Sequence, residues 1–188
     1  MCACVCCCAI GQGQGLNGGF IQGLRLFSKQ PLSHLNEQGD PRMVDTSQKQ
    51  VTTRIARAQA RIQLPSATVE AMKTLQNDKG SVLHTAIIGG IMAAKKTPEL
   101  IPLCHSVPLN KVQIEINMPK EDMIEIECTA KATHTTGVEM EALVGATVAS
   151  LVVYDMLKAS SHGIVIESVR LLEKSGGKQD FAVGKSLL

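Results

Sequence analysis

Cys104 and His105 adjoin in the segment Leu100-Ile101-Pro102-Leu103-Cys104-His105-Ser106-Val107-Pro108, where prolines at 102 and 108 stiffen the chain that presents them. A polar pair on a constrained loop has three chemical readings. Cys104 can be a nucleophile with His105 as its base, the two can ligate zinc, or the loop can set His105 against a substrate. A zinc site would draw its remaining ligands from Cys128 and His134. The inert alternative is a buried thiol beside a surface histidine.

A second group follows in Thr135-Thr136-Gly137-Val138-Glu139-Met140-Glu141, which carries two carboxylates into the first turn of a helix. Carboxylates are favoured there by the helix dipole whether or not they do chemistry. Near the far end of that helix, Tyr154-Asp155-Met156-Leu157-Lys158 puts Asp155 and Lys158 on one face. On a surface such a pair contributes about 0.3 kcal/mol. Asp155, however, continues the phase of Val144, Val148, Leu151 and Val152, and a charge on an apolar stripe is either paired or functional. Glu141 and Asp155 stand 14 residues apart, roughly 21 Å along a continuous helix. One small pocket in one chain cannot hold both, so a site using both lies between subunits.

Two glycine-flanked lysine regions complete the set: Asp78-Lys79-Gly80-Ser81, and Lys174-Ser175-Gly176-Gly177-Lys178. Lysines beside exposed backbone amides suit a phosphate, although neither region has the glycine spacing of a P-loop and either could be a plain solvated loop.

The elements that must position these groups follow from periodicity. From Thr52 to Leu64, apolar Ala56, Ala58, Ala60, Ile62 and Leu64 alternate with Thr53, Arg57, Gln59, Arg61 and Gln63, which predicts a strand ended by Pro65. Ser66 can cap a helix carrying Val69, Met72 and Leu75 and closing near Asn77 to Gly80. A second helix spans Ser81 to about Lys96, with Val82, Ala86, Gly89, Gly90 and Ala93 as a small-residue packing face. Val112, Ile114, Ile116 and Met118, then Ile124, Ile126, Cys128, Ala130 and Ala132, alternate on either side of a Pro119 to Asp122 turn and predict an antiparallel hairpin. A long helix from about Val138 to Ala159 and a strand from Ile164 to about Leu172 follow. The order βαββαβ with an added helix predicts a ferredoxin-like α+β sandwich on an antiparallel sheet.

Composition narrows the function classes. A chain of 188 residues with 44% hydrophobic content can build one core without disulfides or metal. Aromatics at 2%, with no Trp, argue against stacking on single-stranded nucleic acid. Residues 1 to 36 hold Arg25 and Lys29 and no acid, which leaves 17 basic against 17 acidic residues elsewhere. That balance favours neither nucleic acid nor membrane, and any anion site must be local. No uncharged apolar run approaches the roughly 20 residues of a bilayer span.

Residues 1 to 36 read as a leader and 37 to 188 as the catalytic domain. The leader contains Cys2, Cys4, Cys6, Cys7 and Cys8, six glycines from Gly11 to Gly23, and Phe20, Leu24 and Phe27 on one helical face, with Arg25 and Lys29 off it. That is the profile of a mitochondrial presequence, which would place the protein in the matrix; the competing reading is an extension without an address, in a cytoplasmic protein. Metal binding at the cysteines finds no accompanying His or acid, and acylation finds no glycine at the second position, which is Cys2.

The strings MVDTS (43 to 47), KGSV (79 to 82), AAKKTPELIPLCHSVPL (93 to 109), TGVEMEAL (136 to 143), LVVYDMLKA (151 to 159) and LLEKSGGK (171 to 178) closely resemble the cyclic pyranopterin monophosphate synthase family, the molybdenum cofactor biosynthesis protein C family. The likeness covers about residues 33 to 182. It implies a lyase of ferredoxin-like subunits, assembled as a hexamer built from three dimers with active sites at the dimer interface, working after a radical SAM enzyme. It implies conversion of 3',8-cyclo-7,8-dihydroguanosine 5'-triphosphate to cyclic pyranopterin monophosphate and diphosphate, with no cofactor or resident metal. Carried over by position, Asp155 is the acid/base, Lys158 its partner and Lys79 a second catalytic or phosphate-contacting lysine. Leu103, Cys104, His105, Glu139, Met140 and Glu141 contact substrate, and Lys174 and Lys178 contact the triphosphate. Cys104 is then a packing residue and not a nucleophile. Ser81 departs from an Asp the family pattern leads one to expect, and Thr135 from a common Lys.

Overall fold

The computed structural model describes residues 33–75 and 82–184. Lys79, and the leader up to residue 32, lie outside the described residues. Long spans of strict alternation become strands as expected. β1 (Thr52–Gln63) is followed by helices α1 (Ser66–Leu75), α2 (Val82–Lys95) and the single turn α3 (Thr97–Leu100), then by hairpin strands β2 (Lys111–Lys120) and β3 (Met123–His134), helix α4 (Glu139–Leu157), β4 (Val165–Ser175) and a two-residue β5 (Phe181–Ala182). The sheet is antiparallel with order β2-β3-β1-β4-β5. This is the ferredoxin-like α+β arrangement with extra helix between β1 and β2 and an extra edge strand. β4 runs to Ser175, further than its periodicity predicts, which puts Lys174 in the strand and not in the loop after it.

Small side chains set the depth of the core. Ala56, Ala58 and Ala60 of β1, with Cys128, Ala130 and Ala132 of β3, are fully buried and let α4 lie close on the sheet. The seam of α4 that meets them is Ala142, Ala146, Ala149, Val153 and Leu157, at helical spacing. α2 crosses α4 at Gly90 and Gly145: a β-carbon on Gly90 would lie 2.7 Å from the Gly145 carbonyl oxygen, and one on Gly145 2.6 Å from Cys128 Sγ. By length and composition α4 could cross a membrane, but half of it is buried in this fold, as the core helix of the sandwich.

That seam corrects one expectation. Asp155 does not continue a buried stripe: Leu151, one turn earlier, is 51% exposed, and the Asp155 and Lys158 side chains are 71% and 52% exposed. The helix turns Ala142, Ala146 and Ala149 inward where it lies closest to the sheet, and Val153 and Leu157 continue that line toward its end. Its bulkier apolar residues flank the contact, so a stripe drawn through Val144, Val148, Leu151 and Val152 is rotated from the buried one.

Candidate functional site

The N-terminus of α4, the segment 103–107 and the stretch before β1 enclose a cleft of about 310 Å³. Leu103, Cys104, His105, Glu139, Met140 and Glu141 all line it. Residues far apart in the chain thus reach one site, through two constraints.

The first acts on the approach to α4. Arg54 on β1 donates from Nε to the His134 carbonyl at 3.2 Å and from Nη2 to the Thr135 carbonyl at 3.1 Å, fixing the turn that leaves β3. Gly137 then leaves space that the Glu139 carboxylate folds back to occupy; any side chain at 137 would collide with it. Lys174 Nζ meets Glu139 Oε1 at 3.1 Å from the end of β4. The second constraint aims that lysine. Gly176 turns with φ 83°, Thr52 donates its hydroxyl to the Gly176 carbonyl at 2.7 Å, and a β-carbon at 176 would strike the Thr53 carbonyl.

The carboxylates differ in setting. Glu139 is half-buried and paired. Glu141 is 3% exposed. Burial pushes its carboxyl above the ordinary carboxylate range, the Glu139 charge adds to this, and a bond to its own backbone N–H opposes it. A buried carboxyl whose charged form is disfavoured is suited to proton transfer. Burial, and then the charge of Glu141, likewise raise the Cys104 thiol. The thiolate is therefore disfavoured, against a nucleophilic role. His105 Nε2 lies 2.7 Å from the Val44 carbonyl. A carbonyl can only accept, so Nε2 carries the hydrogen.

The zinc reading does not survive this geometry. Cys128 is sealed under α4, its thiol pushed by burial to about 12. Among the described residues no three His, Cys, Asp or Glu stand together as metal ligands.

Asp155 and Lys158 are brought to each other, Nζ to Oδ1 at 2.6 Å, but not to the cleft. The hydrogen bond to Asp155, then its charge, raise the Lys158 ammonium. Lys178 is exposed on the turn after β4 and is not part of the cleft wall. Sequence reasoning gives no role to His34, Val44, Thr46, Lys49 or Thr136, all of which line the cleft. A signal is present in MVDTS, where Asp45 two residues before Ser47 is a turn-forming spacing.

A family model described as the MoaC family matches residues 43–177, a span that runs from this stretch to the turn after Lys174. A protein of Xanthomonas oryzae pv. oryzae named cyclic pyranopterin monophosphate synthase is 46% identical over 156 residues, 82% of this chain and 94% of its own length. A protein of the same name from Xanthomonas campestris pv. campestris (strain B100) is also 46% identical over the same shares. Molybdenum cofactor biosynthesis protein 1 of Drosophila melanogaster is 49% identical over 151 residues, 80% of this chain and 27% of its own length.

Proposed function

The chain belongs to the MoaC family, and from that premise we propose that it turns 3',8-cyclo-7,8-dihydroguanosine 5'-triphosphate into cyclic pyranopterin monophosphate, acting as a lyase that expels diphosphate. Its activity is that of a cyclic pyranopterin monophosphate synthase in molybdenum cofactor biosynthesis. The observation that carries the finer reading is the buried Glu141 beside Cys104-His105, with Glu139 held by Lys174 at the cleft edge.

The chemistry suits these groups. Rearranging a purine-derived ring moves protons at several atoms, and Glu141 and His105 can move them. Closing a cyclic phosphate releases diphosphate, whose growing charge lysines stabilise. Lys174, paired with Glu139 of the cleft wall, is proposed for that purpose, and Lys79 and Lys178 are proposed to join it. Leu103, Cys104 and Met140 shape the wall around the ring.

Asp155 and Lys158 are proposed as acid/base and partner for the same reaction, contributed by a second subunit. The support is geometric: along α4 Asp155 lies roughly 21 Å from Glu141, and Lys158 further still, beyond one cleft. A dimer-built site, within a hexamer of three dimers, reconciles both ends. The substrate would come from a radical SAM enzyme, since joining C3' to C8 requires breaking an unactivated C–H bond. Residues 1 to 36 are proposed as a mitochondrial address, and a reporter fusion that stayed diffuse would dismiss that.

Turnover of the cyclised triphosphate by wild type, Asp155→Asn and Lys79→Ala tests the roles. Undiminished turnover in both variants would show the assignments to be wrong. Mixing Asp155→Asn with Glu141→Gln tests the shared site: co-assembled subunits recover about a quarter of wild-type turnover if each site takes one residue from each chain. No recovery places the two residues in one chain's site.

A further inference from the structure

Opposite α4, the cleft wall is a stretch of chain with no regular structure. Residues 43–51 lie in neither helix nor strand, and Met43 and Val51 at its ends are 54% and 62% exposed. Little apolar burial ties it down. It has a local shape, since the Asp45 carboxylate accepts the Ser47 N–H at 2.9 Å and the Thr46 carbonyl accepts the Lys49 N–H at 3.0 Å. Val44 and Thr46 turn inward, and with Lys49 they line the cleft.

Two contacts fasten this stretch to the body. His105 Nε2–H donates to the Val44 carbonyl at 2.7 Å, and the Thr135 hydroxyl donates to the Thr46 hydroxyl at 3.2 Å. The first leaves the lone pair of a neutral His105 ring on Nδ1. Thr135 itself does not line the cleft, although its neighbour Thr136 does.

We propose that residues 43–49 are a strap that releases to admit substrate and refastens beside it, and that Thr135 is the positioning residue that fastens it, acting through Thr46. A cleft of about 310 Å³ is at the small end of ligand sites, which run from about 300 to 1,000 Å³. A wall that yields would widen it for the ring end of a nucleoside triphosphate derivative. Two hydrogen bonds and scant apolar burial are what hold this wall in place. Losing the threonine contact shifts the strap toward release by about two- to tenfold, the worth of one neutral hydrogen bond.

The proposal rests on the function given above, and its two tests fail separately. Hydrogen exchange of residues 43–51 in the full chain, without substrate, comes first. Exchange quickens about two- to tenfold in Thr135→Val and in Thr46→Val, stays at the wild-type rate in Thr135→Ser, and is no faster in the double variant than in either single one. Equal exchange in Thr135→Val and wild type, or additive effects in the double variant, overturns the strap. In turnover, Thr135→Val raises KM by a similar factor with kcat within about twofold, and Thr135→Ser restores KM. A fall in kcat at constant KM would reject a role in substrate capture. A wild type without turnover would instead defeat the functional reading and leave exchange to decide the strap.

Discussion

Replacing Gly90 by alanine probes the seat on which α4 rests. The new methyl would sit 2.7 Å from the Gly145 carbonyl oxygen and 3.0 Å from Ala149 Cβ, and closer still to Ile114 Cδ1. The Ile114 terminus can rotate away, but the carbonyl belongs to the backbone of α4 and cannot. To restore an optimum near 3.5 Å for that contact the helices must part by about 0.8 Å. Overpacking of that kind costs about 1–3 kcal/mol, while Gly to Ala inside a helix returns up to about 1 kcal/mol. Because rigid backbone receives the clash, the upper part of the range applies and the net loss is about 1–2 kcal/mol, or about 2–8 °C in Tm for a chain of this size. Gly89→Ala is the control. Its methyl would meet Val152 Cγ2 at 2.9 Å and otherwise only Val152 Cβ at 3.9 Å, a side chain that can turn. It should stay within about 1 kcal/mol of wild type. Thermal melts followed by circular dichroism at one protein concentration decide it. Gly90→Ala as stable as wild type, or Gly89→Ala the less stable of the two, would refute the claim that close backbone contact fixes α4.

Glu141→Gln should separate stability from activity. The raised pKa of Glu141 means that its stabilising contribution is complete below the unfolded value near 4.5 and is lost as pH rises through the folded value. Urea midpoints of variant and wild type should therefore coincide near pH 4, with the variant ahead at pH 8, while its turnover falls by about 10²–10⁴; a variant less stable at pH 8 contradicts this. The same substitution should speed alkylation of Cys104 at neutral pH, because it removes a charge that disfavours the thiolate, and unchanged rates in a stopped-assay thiol titration count against that coupling. Lys174→Ala should change stability by less than about 1 kcal/mol, since both partners are partly exposed. It should nevertheless raise KM more than Lys178→Ala does, and the reverse order in steady-state kinetics would remove Lys174 from the phosphate site.

Much of the sandwich is legible in the sequence because its strands bury one face completely. Ala56 to Ile62 and Ile124 to Ala132 alternate without a lapse, and period two survives any choice of hydrophobicity scale. The small-residue face of α2 is legible for a related reason: glycines at 89 and 90 inside a helix need a close neighbour to justify them. The phase of α4 misleads because its first half meets alanine-lined strands through Ala142, Ala146 and Ala149, which a stripe drawn through the larger apolar residues passes over. The strap is hidden for another reason. It has no period, and its attachment depends on single polar atoms of His105 and Thr135, 61 and 89 residues away. Arg54 escapes notice likewise, because its acceptors are two backbone carbonyls that no residue type announces.

α4 is thus both a scaffold and a ruler. Its first turn delivers a buried, charge-averse carboxyl to a cleft, and its last turn holds Asp155 against Lys158 at 2.6 Å in the open. An exposed pair of that kind does little for the stability of its own chain. Its close geometry becomes useful when water is removed, because the same two charges then interact through a poorer dielectric. Docking a second subunit over the end of α4 would do that, and would turn a surface ion pair into a proton-transfer couple facing the other chain's cleft. The demand this places on assembly is specific: dilution that dissociates the subunits should abolish turnover while leaving the fold of each chain, and the Glu139–Lys174 contact within it, intact.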